Sequence, residues 1–217
     1  MSDWEERARA AAGRYEDGAA RLPEDGDERQ RQLTRMGNAA WAAGLSLLMG
    51  GRREEAREWL LRSAETYRES WTNAPAGSWG RPIGAMKSRL IAGDLEGARA
   101  DAHWALDAGA SEAESPIGRY AAALAQLVLG DDGKAATLVD SIAAAEAIPP
   151  AVTESLAALA ARDASAYEVA IRALVADFEG REAYLEDTPV ADTVLALQAL
   201  AAERWIVIEL DSPVLPG

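Results

Sequence analysis

Four basic side chains and one tryptophan near the middle of the chain could together bind an anionic group. The tryptophan, Trp79, lies between two glycines in the breaker-rich stretch 73–80, where we expect it to be exposed. The basic residues lie in two predicted helices that follow, and they are Arg81, Lys87, Arg89 and Arg119. Arginine and tryptophan dominate interface energies, and a groove lined by them suits an acidic segment or a carboxylate terminus. The sequence thus predicts a partner-binding groove. The alternative is that these arginines pair with neighbouring acids and that Trp79 packs beneath the linker.

Catalytic and metal-binding patterns are scarce. The single histidine, His103, follows Asp101 by two residues on a predicted helix, and residues two apart on a helix do not face each other. Asp101 therefore cannot orient His103 as the acid of a catalytic triad. The chain has no cysteine and no second histidine, which leaves few ligands for zinc. We expect no catalytic residues, no cofactor, no metal site and no enzymatic activity.

The charge of the chain is unevenly distributed. The formal net charge is −14, and residues 111–217 hold 18 acidic but only 6 basic side chains. Such a surface repels phosphates, whose binding requires clustered lysine and arginine, so we expect no nucleic-acid partner. It allows a basic protein partner, whose approach the charge would accelerate. The acidity could equally serve solubility.

The amino terminus contains no basic start and no apolar stretch of the kind that a signal peptide needs. No apolar run approaches the length of a membrane span. Together with the lack of cysteine, these features favour a soluble protein of the cytoplasm, without a membrane partner.

A repeated tripeptide indicates the architecture. Pro-Ile-Gly occurs at residues 82–84 and again at 116–118, an offset of 34 residues, and each copy precedes an apolar run and a Gly-Asp pair. A period of about 34 residues is typical of stacked helix-turn-helix units, each of which buries its apolar face against the next.

Glycines that end one helix are followed, five residues later, by an alanine that allows two helices to touch. These pairs are Gly51 and Ala56, Gly93 and Ala98, and Gly130 and Ala135. Over residues 30–180 this pattern resembles tetratricopeptide repeats. The resemblance implies an all-α protein: a right-handed α-solenoid of antiparallel helical hairpins with a short extended C-terminal tail.

We therefore expect one helical-repeat domain over residues 1–217. An N-terminal helix and turn occupy 1–29, about four hairpins occupy 30–178, and a capping helix with a tail occupies 179–217. The hairpin boundaries fall near 30–71, 81–108, 115–145 and 150–178, and the capping helix near 189–204.

A second resemblance concerns the C-terminal third. The helix start at 163–167, Tyr184 before an acidic turn, and the stretch from Leu195 through 205–216 resemble the end of the bacterial immunity protein 49 family. Members of that family are helical proteins thought to neutralise toxins, so the resemblance implies a protein that masks a basic partner.

Three functional hypotheses remain open. The first is a non-enzymatic helical-repeat module that binds a protein or peptide, with the immunity-like role as one form of it. The second is a small-ligand sensor or enzyme that uses a polar cavity between helices near Trp79, Arg81 and Arg119. The third is a homo-oligomer in which the terminal helix pairs with its symmetry mate.

Overall fold

Ten α-helices account for most of residues 2–217, the part of the chain that the computed structural model describes, and this part contains no strand. The all-α expectation is confirmed there. The helices are α1 (Asp3–Ala20), α2 (Gly26–Met49), α3 (Arg53–Ser70), α4 (Gly80–Ile91), α5 (Leu95–Asp107), α6 (Pro116–Leu129), α7 (Asp132–Ala143), α8 (Pro150–Ala161), α9 (Ala164–Glu179) and α10 (Asp192–Ala202). Two short 3-10 turns, Ala110–Glu112 and Leu185–Asp187, lie in the connections.

The ends of the helices have local causes. The carboxylates of Asp94, Asp131 and Asp163 each accept a hydrogen bond from a backbone N–H in the first turn of α5, α7 and α9, which satisfies donors that the helix leaves unpaired. Gly93 and Gly130 lie at φ +71° and +80°, a conformation in which a side chain is strained. The Gly-Asp pairs therefore end one helix and begin the next.

Successive helices pack on each other in sequence order from α1 to α9. The alanines at the predicted contact positions, Ala56, Ala98 and Ala135, are all buried. A Cβ on Gly44 of α2 would lie 3.1 Å from the carbonyl oxygen of Ala56 in α3. Small residues thus bring α2 and α3 within backbone contact.

The glycine of each Pro-Ile-Gly tripeptide packs against an aromatic ring from an earlier part of the chain. A Cβ on Gly84 would lie 2.7 Å from Cε2 of Tyr67, and a Cβ on Gly118 would lie 2.7 Å from Nε1 of Trp79. Gly37 of α2 meets the other edge of the Tyr67 ring, at 2.9 Å from Cδ1. The tripeptide therefore lies where α4 packs against the ring of Tyr67 and where α6 packs against the ring of Trp79.

The C-terminal segment returns across the molecule. Helix α10 packs against α4 as well as against α8 and α9, and the 185–187 turn packs against α2. A helix that capped only the last pair would touch α8 and α9 alone. Val194 and Leu197 of α10 belong to the same buried cluster as Met86 of α4 and Leu124 of α6. Residues far apart in sequence therefore share one core.

Across residues 2–217, no helix combines the length and the apolar character that crossing a lipid bilayer requires.

We predict that Gly84→Ala lowers the free energy of unfolding by about 1–3 kcal/mol, because the added methyl group overlaps the Tyr67 ring. The matched control is Gly133→Ala in α7, where an added Cβ has no atom within 4 Å. Alanine favours a helix over glycine, so the control should keep or slightly raise stability. Urea unfolding followed by circular dichroism measures both, and equal stability of the two variants would contradict the packing role of Gly84.

Candidate functional site

Three of the five predicted groove residues line one pocket. Trp79, Arg81 and Lys87 face a cavity of about 400 Å³ between α2, α3, α4 and the returning C-terminal segment. We call it the Arg81 pocket. Its other walls are Thr34, Asn38, Trp41, Tyr67, Gly77, Ser78, Gly80, Ile83, Gly84, Ile117, Leu185 and Asp192.

Trp79 is buried, with 8% of its surface exposed, so the expectation that its flanking glycines expose it is wrong. Its ring lies 5.7 Å from that of Trp71, and its Nε1 occupies the space that a side chain on Gly118 would need. The absence of a Cβ at Gly118 admits the indole between the linker and α6, where burying its large apolar surface is favourable. Trp79 therefore forms a fixed wall of the Arg81 pocket.

Arg81 is also buried, with 9% of its surface exposed. Its Nε donates to Oγ of Ser70 at 2.9 Å and its Nη2 donates to Oε1 of Gln30, and both acceptors are neutral. Within residues 2–217 no carboxylate lies within 4.0 Å of its guanidinium nitrogens, and Nη1 makes no hydrogen bond. Burial lowers the pKa of Arg81 below its usual range. The pocket therefore contains a largely buried guanidinium whose unpaired nitrogen, Nη1, opens to solvent and has no carboxylate partner in residues 2–217.

Lys87, in contrast, is neutralised by a residue from the other end of the chain. Its Nζ forms an ion pair with Asp192 and donates to Oγ1 of Thr193 at 2.9 Å, and the paired side chains are mostly buried. Burial raises the pKa of Tyr67, and the nearby charges of Asp192 and Glu186 raise it further. The hydroxyl of Tyr67 stays protonated and donates to Oδ1 of Asn38 at 2.7 Å. The returning segment thus supplies both a wall and a counterion.

The 185–187 turn is tied to the first helix. Nη1 of Arg7 donates to the carbonyl oxygen of Asp187 at 2.6 Å, and Arg14 lies 3.1 Å from the carboxylate of Glu186. These contacts hold Leu185 at the edge of the Arg81 pocket.

The remaining two predicted groove residues lie elsewhere. Arg89 pairs with Asp94 at 2.6 Å and with the buried Asp101 at 2.7 Å, as the alternative interpretation expected. Nε of Arg119 donates to the carbonyl oxygen of Ala113 at 3.2 Å. Neither residue lines the Arg81 pocket. The five residues therefore do not form one groove.

Asp101 and His103 have separate surroundings. Asp101 is fully buried and accepts from Arg68 and Arg89, whereas His103 is exposed. In the described part of the chain, no group of three or more His, Cys, Asp or Glu side chains is placed to hold a metal ion.

Residues 205–211 form a second candidate surface, which the sequence patterns do not predict and which we call the C-terminal edge. Trp205 is 93% exposed and has a φ of +61°, and Val207 is 80% exposed. Trp205 lies three residues after the last residue of α10, in the turn that closes the helix, where the N–H of Ile206 donates to the carbonyl oxygen of Ala201. Glycine is the usual residue in this left-handed position, and another side chain costs about 1–2 kcal/mol. The exposed indole of Trp205 buries little surface that could offset this cost.

The C-terminal edge is held from one side only. Nε2 of Gln198 donates to the carbonyl oxygen of Ile208 at 2.7 Å, and Arg172 of α9 donates to that of Glu209 at 3.3 Å. The backbone N–H groups of residues 207–211 have no hydrogen-bond partner within residues 2–217. A non-helical segment with free donors and exposed apolar side chains offers a surface to which another chain can add a strand.

A buried arginine fixes where the C-terminal edge begins. Arg204 donates to the carbonyl oxygen of Leu127 at 2.8 Å and to the carboxylate of Asp132 at 2.5 Å. Burial alone would raise the pKa of Asp132, but hydrogen bonds from Arg204 and Arg162 lower it below its usual value. The end of α10 is thereby anchored to the junction of α6 and α7.

Comparison with protein-family models, with curated proteins and with solved structures finds no match.

We predict that Lys87→Met lowers the free energy of unfolding by about 3 kcal/mol, because it leaves the largely buried Asp192 carboxylate without its counterion. Combining it with Asp192→Asn should recover part of the loss, with a coupling energy of about 0.5–3 kcal/mol in a double-mutant cycle. The exposed pair of Arg52 and Glu55 is the control, and its coupling should stay below about 1 kcal/mol. A coupling for Lys87 and Asp192 no larger than that of the control would contradict the stabilising role of this ion pair between α4 and α10.

Proposed function

We propose that the protein is a non-enzymatic, tetratricopeptide-like α-solenoid whose function is to bind a basic protein partner through the C-terminal edge. The observation that carries this proposal is the exposure of Trp205 in a backbone position that favours glycine. Tryptophan is among the residues that contribute most to protein interfaces. Selection for binding would account for a fully exposed tryptophan at a position that favours glycine.

Charge supports a basic partner. Glu203, Glu209 and Asp211 flank the exposed Trp205 and Val207, and the half of the chain that contains them has a large excess of acid. A basic partner would be attracted over a distance of about 10 Å at moderate salt. An immunity-like protein that masks a basic toxin is one form of this function, with the partner's apolar group covering Trp205 and its cations meeting the surrounding acids.

The free N–H groups of the C-terminal edge support an extended segment as the part of the partner that docks. Strand addition would satisfy those donors that face the added chain, and the exposed side chains of the edge, Trp205, Val207 and Glu209, would contact the partner.

The test is affinity capture from lysate of the native host, with wild-type protein and Trp205→Gly as baits at low and high ionic strength. We expect wild type to retain a basic protein in stoichiometric amount at low salt, and we expect Trp205→Gly to lose it. The free energy of unfolding of Trp205→Gly should stay the same or rise by up to about 1 kcal/mol, because glycine relieves the left-handed strain.

Leu185→Ala is the matched control, since it removes an exposed large apolar side chain that lines the Arg81 pocket and not the C-terminal edge. It should retain the partner. Loss of the partner with Leu185→Ala but not with Trp205→Gly would contradict the proposal and assign binding to the Arg81 pocket. Retention that does not change with salt would contradict the charge argument.

A further inference from the structure

The Arg81 pocket has the size and the lining of a small-molecule site. Its volume of about 400 Å³ lies in the range of pockets that bind organic ligands, about 300–1,000 Å³. Most of the wall is apolar and comes from elements distant in sequence, including Trp41 of α2, Trp79 and Ile83 at the start of α4, and Leu185 of the returning segment. Such a wall favours a ligand with an apolar body.

The polar groups in this wall are few, and the charges leave one positive excess. Lys87 and Asp192 neutralise each other, so Arg81 alone remains without a counterion. A guanidinium in a site of low polarity is stabilised by a planar anion that accepts two hydrogen bonds, which is the geometry of a carboxylate. One excess charge matches one carboxylate.

The guanidinium is held in place before any ligand arrives. Ser70 and Gln30, both buried, accept from Nε and Nη2, and the Ser70 hydroxyl donates to the carbonyl oxygen of Tyr67 at 2.7 Å. Nη1 is left with both of its N–H groups free of partners in residues 2–217. The pocket therefore offers a positioned donor rather than a mobile surface arginine.

Asn38 supplies a second donor. Its Oδ1 accepts from the hydroxyl of Tyr67, which fixes the amide so that Nδ2 is the remaining polar atom, and Nδ2 has no partner in the described residues. Asn38 and Arg81 both line the pocket. A carboxylate on Arg81 leaves this amide for a further oxygen of the ligand.

We propose that the Arg81 pocket binds a small organic monocarboxylate with an apolar or aromatic body, its carboxylate on Arg81 and its body against Trp41 and Trp79. This site is separate from the C-terminal edge, and it adds a small ligand to the protein partner proposed above.

The test is calorimetric titration of the full chain with three probes that share a phenyl ring: 4-phenylbutyrate, its uncharged isostere 4-phenylbutyramide, and phenyl phosphate. We expect the carboxylate to bind at least tenfold more tightly than the amide and than the phosphate ester. Quenching of tryptophan fluorescence, with Trp41 and Trp79 in the wall, gives an independent readout.

Arg81→Met removes the charge and keeps an apolar chain of similar length. It should bind the carboxylate and the amide equally weakly. Its stability should be lower than that of the control variant Arg35→Met, which changes an exposed arginine, because the buried oxygens of Ser70 and Gln30 lose their donor. If Arg81→Met does not fold, the difference in affinity between the acid and the amide on the wild-type protein is sufficient to test the carboxylate site.

Three outcomes would overturn the proposal: no saturable binding of the carboxylate, equal binding of the acid and the amide, or tighter binding of phenyl phosphate. Trp205→Gly should bind the carboxylate as wild type does. Loss of protein binding at the C-terminal edge can therefore be told apart from loss of carboxylate binding at the Arg81 pocket.

Discussion

The ion pair between Lys87 and Asp192 is the interaction on which the arrangement of both candidate sites depends. It joins α4 to the start of α10, two elements separated by about half of the chain, and both side chains are largely removed from water. Because each charge would be costly to bury alone, the two groups fix each other's position where α10 meets α4, beside the apolar contacts of Val194 and Leu197. The same contact closes one side of the Arg81 pocket and directs α10 towards the junction of α6 and α7, where Arg204 anchors it.

The sequence predicts local features well because their causes are local. The Gly-Asp pairs at 93–94 and 130–131 end one helix and cap the next, and the alanines five residues after each glycine are buried. The sequence also contains the reason why Arg89 lies outside the Arg81 pocket. Lys87 and Arg89 are two residues apart on one helix, so they cannot face the same groove. By contrast, the pairing of Lys87 with Asp192 and the burial of Trp79 against Gly118 depend on tertiary packing that no short-range pattern encodes.

Trp205 illustrates the same limit. The β-branched stretch that follows it predicts extended backbone, and residues 206–211 are neither helix nor strand. Whether other residues cover the indole of Trp205 depends on where α10 packs, and no short-range sequence pattern predicts that. The available signal was a tryptophan three residues after the last helical residue, in the position where a glycine usually ends a helix.

Each site contains a feature that is unfavourable for folding, and the two features differ. At the Arg81 pocket it is a largely buried charge without a counterion, and at the C-terminal edge it is an exposed aromatic ring on strained backbone. Both are unfavourable for stability taken alone, which is the pattern expected where a chain is selected for binding. Their charges are also opposite, since the pocket has one positive excess and the edge is acidic.

Native-state hydrogen exchange of the wild-type protein tests the docking of α10 on α4 most directly. Amides that open only in global unfolding exchange together, whereas loosely attached segments exchange sooner. If α10 is docked on α4, we expect the interior amides of Asp192–Ala202 to be protected to the same degree as those of Gly80–Ile91. Exchange of α10 at rates typical of a detached terminal helix, while α4 remains protected, would contradict this docking.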